Sequence, residues 1–298
     1  MSLNVHVNGF WDGFLNKTDA NHIGFFETIF PKKMSMSMTN TNNNIHSANV
    51  LFESIFSKSM ASNKNWLCKI QYTGEPRWRA IANYDLTLGS FEDGEKIINL
   101  PLFVYYIHSR SLLDKLIHRP MRATVPPKFC CFIVSNGNCH VRNKMFNMLS
   151  RYKRVDSHGK FQNNTGKPLQ SNYSTPEFLD FISNYKFIIC FENSKFGTYS
   201  TEKIVNPYLA SIVPIYWSSH KIKDTLNPES MLFLDDEREE SYVKLIQKVI
   251  ELDCNDEKYL EFVNRPVFSQ LNHWNENYTI DVLSNKLSGF LQRHLKSK

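Results

Sequence analysis

The sequence predicts an α/β protein with two domains, each built around a parallel β-sheet. The chain has 298 residues, whereas a typical domain has about 100 to 200. Short uninterrupted apolar runs, typical of strands buried on both faces, alternate with segments of helical periodicity. This alternation favours parallel strands joined by right-handed crossovers. The composition, with 42% hydrophobic and 21% charged residues, excludes wholesale disorder and fibrous folds.

The first half of the chain carries the fewest signals. We expect strands at 3–7, 66–72 and 85–88 and a helix at 45–60. The Met- and Asn-rich stretch at 34–44 is expected to form a polar loop. Because Pro126 and Pro127 stiffen the backbone and disfavour helix before them, we place the domain boundary there. The predicted domains are therefore 1–125 and 126–298.

Strands and helices alternate clearly in the second half. In chain order we expect a strand at 129–134, a helix at 141–152, a strand at 152–156, a helix at 174–184, a strand at 185–191, a helix from Thr201, strands at 212–216 and 231–234, and helices at 242–250 and 280–291. Ser174 and Glu177 resemble a capping box, and the acidic run 235–237 resembles the first turn of a helix. Two such domains facing one another would enclose a cleft at the carboxyl ends of their strands.

Charge and cysteine content suggest a soluble, cytoplasmic protein. The balance of 35 basic and 29 acidic residues gives a net charge of +6, which is too small and too dispersed to predict nucleic-acid binding. The six cysteines show no CxxC spacing, and Cys130, Cys131 and Cys190 lie in apolar runs, so reduced, buried thiols are expected. No apolar run approaches the ~18 to 20 residues of a membrane span.

The segment 191–203 has the form of an anion site. It follows a buried strand, passes through a loop with Gly197 and enters a helix, whose free N–H groups and positive dipole end favour a negative ligand such as a diphosphate. Lys203 adds a full charge. Arg142 follows the loop 135–140, which leaves the strand at 129–134 in the same manner, so both cations are expected at one sheet edge. A capped helix with a solvated arginine is an equally consistent interpretation on physical grounds.

The first half offers a carboxylate and an aromatic pair. Glu75 follows a strand in a turn, where it could act as a general base on a hydroxyl or simply be solvated. Phe10 and Trp11 follow the first strand and could form a platform for a sugar or belong to the core. The sequence contains no GxGxxG, no GxxxxGK[ST] and no Asp-x-Asp, so neither a dinucleotide fingerprint nor a metal-held diphosphate is indicated.

Together these segments resemble a known signature. The residues at 185–187, 191–194, Tyr199, 201–203 and 213–215 closely resemble the signature of the α1,3/4-fucosyltransferases, glycosyltransferase family 10. Supporting matches lie at 72–75, 84–85, 100–102, 135–136 and Arg142, so that the resemblance spans about 66–285. It implies a GT-B fold, in which two Rossmann-like domains face an interdomain cleft.

The resemblance also implies an activity and a set of roles. The second domain would hold GDP-fucose, the first a glycan acceptor, and fucose would be transferred with inversion and without a metal cofactor. By this pattern Glu75 is the general base and Glu202 lies near the fucose, while the donor-binding residues are Ser135, Arg142, Asn193, Ser194, Tyr199 and Lys203. Radiolabelled transfer from GDP-fucose would test this assignment.

Some features depart from the family pattern. Many relatives have Asp-Tyr-Val at 198–200, where this chain has Thr-Tyr-Ser, and a glycine at the position of Ser218. Pro207 is expected to cut or kink its helix early. Ser200 and Ser218 keep open a transferase that uses another nucleotide sugar. The net charge of +6 and the Asn-rich loop keep open a non-catalytic protein that binds glycans or nucleic acid.

Overall fold

The computed structural model describes residues 3–31, 45–170, 172–173 and 175–296. The expected loop at 34–44 and Ser174 of the expected capping box lie outside the described residues. The chain forms two compact units. The first comprises the described residues of Met1–Ser111, Phe196–Tyr199 and Leu271–Lys298, and the second those of Leu112–Lys195 and Ser200–Gln270.

The elements alternate as predicted over most of the chain. In order they are β1 (Val5–Asn8), α1 (Gly24–Ile29), β2 (Val50–Glu53), β3 (Cys68–Thr73), β4 (Leu86–Gly89), β5 (Ile97–Asn99), α2 (Leu102–Ser109), α3 (Leu113–Ile117), β6 (Lys128–Phe132), α4 (His140–Tyr152), β7 (Val155–Ser157), α5 (Pro176–Ser183), β8 (Tyr185–Ile189), α6 (Glu202–Leu209), β9 (Val213–Tyr216), α7 (Ile222–Thr225), β10 (Leu232–Phe233), α8 (Glu239–Asp253), α9 (Asp256–Val263), α10 (Asn272–Asn277) and α11 (Ile280–Lys296).

The first unit contains a five-stranded sheet in the order β1-β2-β3-β4-β5, and its neighbouring strands pair in parallel. The predicted strands at 3–7, 66–72 and 85–88 are confirmed as β1, β3 and β4. The predicted helix at 45–60 is wrong, because β2 occupies its centre. All four β2 residues are buried between β1 and β3, and an apolar run buried on both faces has no periodicity that separates a strand from a helix.

The second unit contains a sheet in the order β10-β9-β8-β6-β7, again with parallel neighbours. Its predicted strands and helices are present. The acidic run 235–237 precedes α8 instead of opening it, because Asp236 accepts hydrogen bonds from the Arg238 N–H at 3.0 Å and from Ser241 Oγ at 2.6 Å. Helix α6 continues past Pro207 to Leu209, so the helix is not cut at this proline.

Besides the segment Phe196–Tyr199, which belongs to the first unit, the two units differ from the predicted division at residue 125 in two places. Helix α11 belongs to the first unit, where it packs against α1 and β5 through an apolar face that includes Leu283 and Leu287. The segment that leads to Pro126 belongs to the second unit, where Arg122 donates to the Ser183 carbonyl at 2.8 Å. Both differences arise from contacts between residues far apart in the chain, which local sequence patterns do not encode.

The cysteines are thiols, and five of the six are buried as expected, whereas Cys254 is exposed. Among the described helices, none combines the length and the apolar character that crossing a membrane requires.

Candidate active site

A buried carboxylate organises the loop between β8 and α6. Glu192 has no exposed surface and accepts hydrogen bonds from the Thr201 N–H at 2.7 Å and the Tyr216 hydroxyl at 2.8 Å. The Thr201 hydroxyl lies 3.0 and 2.9 Å from its two oxygens. Burial raises the pKa of the Glu192 carboxyl, and the nearby Lys203 ammonium partly offsets this effect. The carboxylate thereby fixes the start of α6 against the end of β8.

Lys203 lies in the first turn of α6. Its Nζ is 3.4 Å from a Glu192 oxygen, 3.4 Å from a Glu202 oxygen and 3.1 Å from the Thr201 hydroxyl. Thr201 is the N-cap residue of this helix, and its side chain accepts from the Lys203 N–H. The ammonium and the positive end of the helix dipole both favour an anion at this point.

Arg142 lies on α4 and is almost completely buried. Its guanidinium donates to the Phe191 carbonyl at 3.3 Å, to Asn193 Oδ1 at 2.9 Å and to the Asn136 carbonyl at 2.6 Å. Arg142 and Lys203 therefore both contact the segment 191–193, as the sequence predicted for two cations at one edge of a parallel sheet. The hydrogen bonds to three loop acceptors fix the orientation of the guanidinium.

A cavity of about 460 Å³ lies beside these residues, wholly within the second unit. Ser135, Glu202 and Lys203 line it together with Asn206 and His158. Its apolar wall consists of Ile133, Val134, Phe178, Ile188, Ile189 and Phe191. The volume lies within the usual range for small-molecule sites, about 300 to 1,000 Å³, and such sites combine apolar walls with a few polar groups.

Glu75 is half-buried in the turn that follows β3 in the first unit. Its N–H donates to the Thr73 hydroxyl at 3.3 Å, and the same hydroxyl donates to the Arg77 carbonyl at 2.6 Å. Burial, and secondarily the Glu75 charge, raise the pKa of Tyr72, which places the carboxylate near that phenol. The turn is thus anchored internally, and it holds Glu75 at the carboxyl end of a central strand.

Tyr199 is buried and belongs to the first unit through the segment Phe196–Tyr199. Its ring stacks on Phe196 at 5.1 Å with an interplanar angle of 17°. Ser194 is half-buried in the second unit, within the loop that precedes this segment. The predicted donor-binding residues therefore come from both units.

Cys68, Asp85 and His294 are described residues whose metal-ligating atoms lie within 4.8 Å of one another. This group lies at the amino ends of β3 and β4 in the first unit and includes none of the predicted site residues. His294 Nε2 lies 3.0 Å from the Leu67 carbonyl oxygen, so this nitrogen, when it carries a proton, donates a hydrogen bond to that carbonyl.

Comparison with known proteins identifies the family. A family model described as glycosyltransferase family 10 (fucosyltransferase), C-terminal part, matches residues 125–292, which is more than half of the chain.

The chain belongs to glycosyltransferase family 10.

Curated relatives support this membership. A putative fucosyltransferase of Acanthamoeba polyphaga mimivirus is 28% identical over 225 residues, which cover 74% of this chain and 36% of the relative. An α-(1,3)-fucosyltransferase of Helicobacter pylori is 34% identical over 108 residues, which cover 36% of this chain and 21% of the relative. The chain thus spans well under half the length of these curated relatives.

Solved structures support the fold of this family 10 chain. A crystal structure of an α1,3-fucosyltransferase with GDP-fucose aligns with a TM-score of 0.72 and 21% identity, covering 99% of this chain and 90% of that chain. The fold is accordingly the α/β GT-B fold that the resemblance implied, with two sheets of parallel strands.

Two departures from the family 10 pattern contact one another. Ser200 and Ser218 are fully buried, and their hydroxyl oxygens lie 3.5 Å apart. Both hydroxyls also interact with the Tyr216 side chain, which donates to Glu192. The two serines therefore extend the hydrogen-bond network of Glu192 and do not line the cavity.

Sequence reasoning missed the role of Glu192 and the cavity residues His158 and Asn206. His158 Nε2 lies 2.7 Å from the Tyr185 hydroxyl, and burial lowers the pKa of the imidazole. The Asn206 side chain donates to the Tyr173 carbonyl at 3.1 Å. A signal existed only for Glu192: a glutamate that directly continues a buried apolar run needs a partner, because an isolated buried charge is too costly.

Proposed function

We propose that this family 10 chain transfers L-fucose from GDP-fucose to a hydroxyl of a glycan acceptor, with inversion at the anomeric carbon and most simply to form an α1,3 linkage. The observation that carries this proposal is the placement of Arg142 and Lys203 on the segment 191–193, beside a cavity of about 460 Å³. Fixed cations next to a cavity with apolar walls suit a nucleoside diphosphate.

In this proposal the donor is held mainly by the second unit. The apolar wall of the cavity takes the nucleoside, and Ser135 and Asn206 are candidates for its polar groups. The diphosphate lies at the start of α6 with Lys203 and Arg142, and with Asn193 and Ser194 from the loop. Tyr199 completes the donor-binding set.

The chemical step follows from these charges. The acceptor oxygen forms a bond to the anomeric carbon of fucose while the bond from that carbon to the phosphate oxygen breaks and GDP leaves with the electron pair. Arg142 and Lys203 stabilise the negative charge that grows on the leaving phosphate, and Glu202 stabilises the positive charge that grows on the sugar ring. Charges fixed before the reaction stabilise this transition state more than the ground state.

Glu75 takes the proton of the acceptor hydroxyl. The Thr73 hydroxyl holds the backbone of this turn through two hydrogen bonds, and the turn positions the Glu75 carboxylate. Attack from the face opposite the leaving group inverts the β-linked donor to an α-fucoside, and a single carboxylate base is sufficient for that direct displacement.

We also propose that the reaction needs no metal ion, because two cationic side chains take the part that a metal would play at the diphosphate.

The six thiols suit a reducing compartment, and we propose the cytoplasm as the place of action.

The donor assignment is tested by titration calorimetry with GDP. Lys203→Ala should weaken GDP binding by roughly tenfold or more, because charge-assisted hydrogen bonds contribute about 1.5 to 3 kcal/mol. Lys248→Ala, which removes an exposed lysine from α8, is the matched control and should leave GDP affinity unchanged. Equal affinities for all three proteins would refute the donor assignment.

The choice of sugar nucleotide is measured in parallel with GDP-fucose, GDP-mannose and UDP-sugars. Tighter binding and faster transfer with GDP-fucose are expected. A preference for another donor would replace fucose in the proposal. Steep salt-dependent DNA binding without transfer would instead favour a non-catalytic protein.

A further inference from the structure

Three aromatic rings, one exposed and two half-buried, form a cluster in the first unit, and one of them lies three residues after Glu75. We call Trp78, Phe91 and Phe196 the aromatic platform. The Trp78 ring centroid lies 5.0 Å from that of Phe91 and 5.1 Å from that of Phe196, and Phe91 and Phe196 are 5.9 Å apart. Trp78 is 44% exposed, whereas three other tryptophans, Trp66, Trp217 and Trp274, are buried.

The platform is held rigidly from below. Phe196 stacks on the buried ring of Tyr199, and Thr198 anchors the segment by donating from its N–H to the Ser90 carbonyl at 3.1 Å and from its hydroxyl to Asn99 Oδ1 at 2.7 Å. Gly197 has a φ of +43°, and an added Cβ would lie 2.2 Å from the Ser90 oxygen. Backbone of the first unit therefore presses directly against this segment.

Trp78 is also tied to the turn of Glu75. The Arg79 guanidinium donates to the Ser54 carbonyl at 3.1 and 2.9 Å, and the Arg79 carbonyl accepts from Gln71 Nε2 at 3.3 Å. The turn is thus anchored on both sides of Trp78, by Thr73 before it and by Arg79 after it. Three residues of extended chain span at most about 11 Å, so the Cα atoms of Trp78 and Glu75 are no farther apart than that.

The other aromatic candidate at this end of the sheet serves the core. Trp11 donates its indole N–H to the Asn21 carbonyl at 2.8 Å and packs against Phe14 at 5.1 Å and Tyr105 at 6.0 Å. Phe10 stacks on Phe14 at 4.0 Å. The sugar platform considered for Phe10 and Trp11 is therefore better assigned to Trp78 and its neighbours.

We infer that the aromatic platform binds the apolar face of a pyranose ring of the acceptor glycan. This inference rests on the proposed function and deepens it. Exposed aromatic patches mark binding sites more often than scattered single side chains do, and a rigid ring offers apolar contact area at a small entropic cost.

The position of Trp78 in the sequence fits this role. Trp78 lies three residues after Glu75, so a sugar stacked on Trp78 and a hydroxyl at Glu75 can belong to one oligosaccharide. We expect the platform to influence acceptor specificity without taking part in the bond exchange.

Steady-state kinetics with an N-acetyllactosamine acceptor test the inference. Trp78→Ala should raise the acceptor KM about tenfold, the factor that corresponds to about 1.4 kcal/mol of binding. The GDP-fucose KM and the slow hydrolysis of donor in the absence of acceptor should not change. Trp78→Tyr should restore most of the acceptor affinity, because an aromatic ring remains. Met121→Ala, which truncates a 78% exposed apolar side chain in the second unit, should behave as the unchanged protein.

A binding measurement separates this inference from the proposed function. Titration of the unchanged protein with a galactoside should blue-shift its tryptophan fluorescence, and the Trp78→Phe variant should lose that shift. Galactoside-dependent fluorescence without fucose transfer from any acceptor would refute the proposed function and support the platform. Fucose transfer with an acceptor KM that Trp78→Ala leaves unchanged would refute the platform and support the function. Concentration-dependent dimerisation abolished by Trp78→Ala would overturn the inference and assign the rings to self-association.

Discussion

Glu192 shows how one buried charge organises the start of a helix. It accepts from Thr201 at the N-cap of α6, from Tyr216 on β9, and lies 3.4 Å from Lys203. A single carboxylate therefore sets both the start of the helix and the position of a cation. Removing a buried, hydrogen-bonded carboxylate leaves its partners unpaired, so we expect Glu192 to contribute to stability.

The pH dependence of stability tests this view of Glu192. Since burial raises its pKa, the folded chain keeps the proton at pH values where the unfolded chain has lost it. The stabilising contribution is complete below the unfolded pKa of about 4.3 and is lost as pH rises through the folded pKa. The free energy of unfolding of the unchanged protein should therefore fall relative to that of Glu192→Gln as pH rises from about 4 towards neutrality.

Urea unfolding of both proteins across that pH range gives the comparison. A difference that stays constant with pH, or that changes in the opposite direction, would show that Glu192 titrates no differently in the folded and unfolded chains. In the same variants, GDP affinity should fall because Lys203 loses its carboxylate partner.

At the scale of elements, the connection from β8 to α6 performs two tasks within 13 residues, 191–203. Its first part contacts Arg142 and Lys203 in the second unit, and its middle part, Phe196–Tyr199, packs with the first unit. The conformation of Gly197 is what lets this middle part lie against Ser90. A backbone requirement, and not a side chain, therefore determines where Phe196 and Tyr199 lie.

Substituting this glycine should disrupt the connection. Gly197→Ala should lower the free energy of unfolding by at least about 1 to 3 kcal/mol, because a left-handed φ is strained for alanine and the Cβ would overlap the Ser90 oxygen. Gly166→Ala is the control, since Gly166 has a φ of +97° but nothing within 4 Å of its added Cβ. Thermal and urea unfolding of both variants give the measurement. If Gly166→Ala lost as much stability as Gly197→Ala, contact with Ser90 would not be the cause.

At the scale of the whole molecule, sequence predicted the elements of the second unit better than those of the first. The runs at 129–134 and 185–191 are long, apolar and followed by helical patterns, so each identifies a buried parallel strand. The short strands β2 and β5 are not followed by clear helical patterns, and the sequence around β2 instead predicts a helix. The return of α11 to the first unit could not be predicted, because its apolar face is compatible with either unit.

The site was predictable to a similar degree. Arg142 and Lys203 could be placed at one edge from strand order alone, whereas the identity of the donor required the resemblance to a family. The network of Glu192 was not predictable, because Tyr216 lies 24 residues away in sequence and only the pairing of β8 with β9 brings it close. Partners across a sheet depend on register, which the local pattern leaves open.

The central claim, that this chain is a transferase whose base is Glu75, is tested most directly by Glu75→Gln. The substitution keeps the size of the side chain but removes its ability to take a proton. Fucose transfer should fall by about 10² to 10⁴-fold, while calorimetry should show unchanged GDP affinity. Transfer at the rate of the unchanged protein, or loss of GDP binding together with loss of transfer, would contradict the assignment.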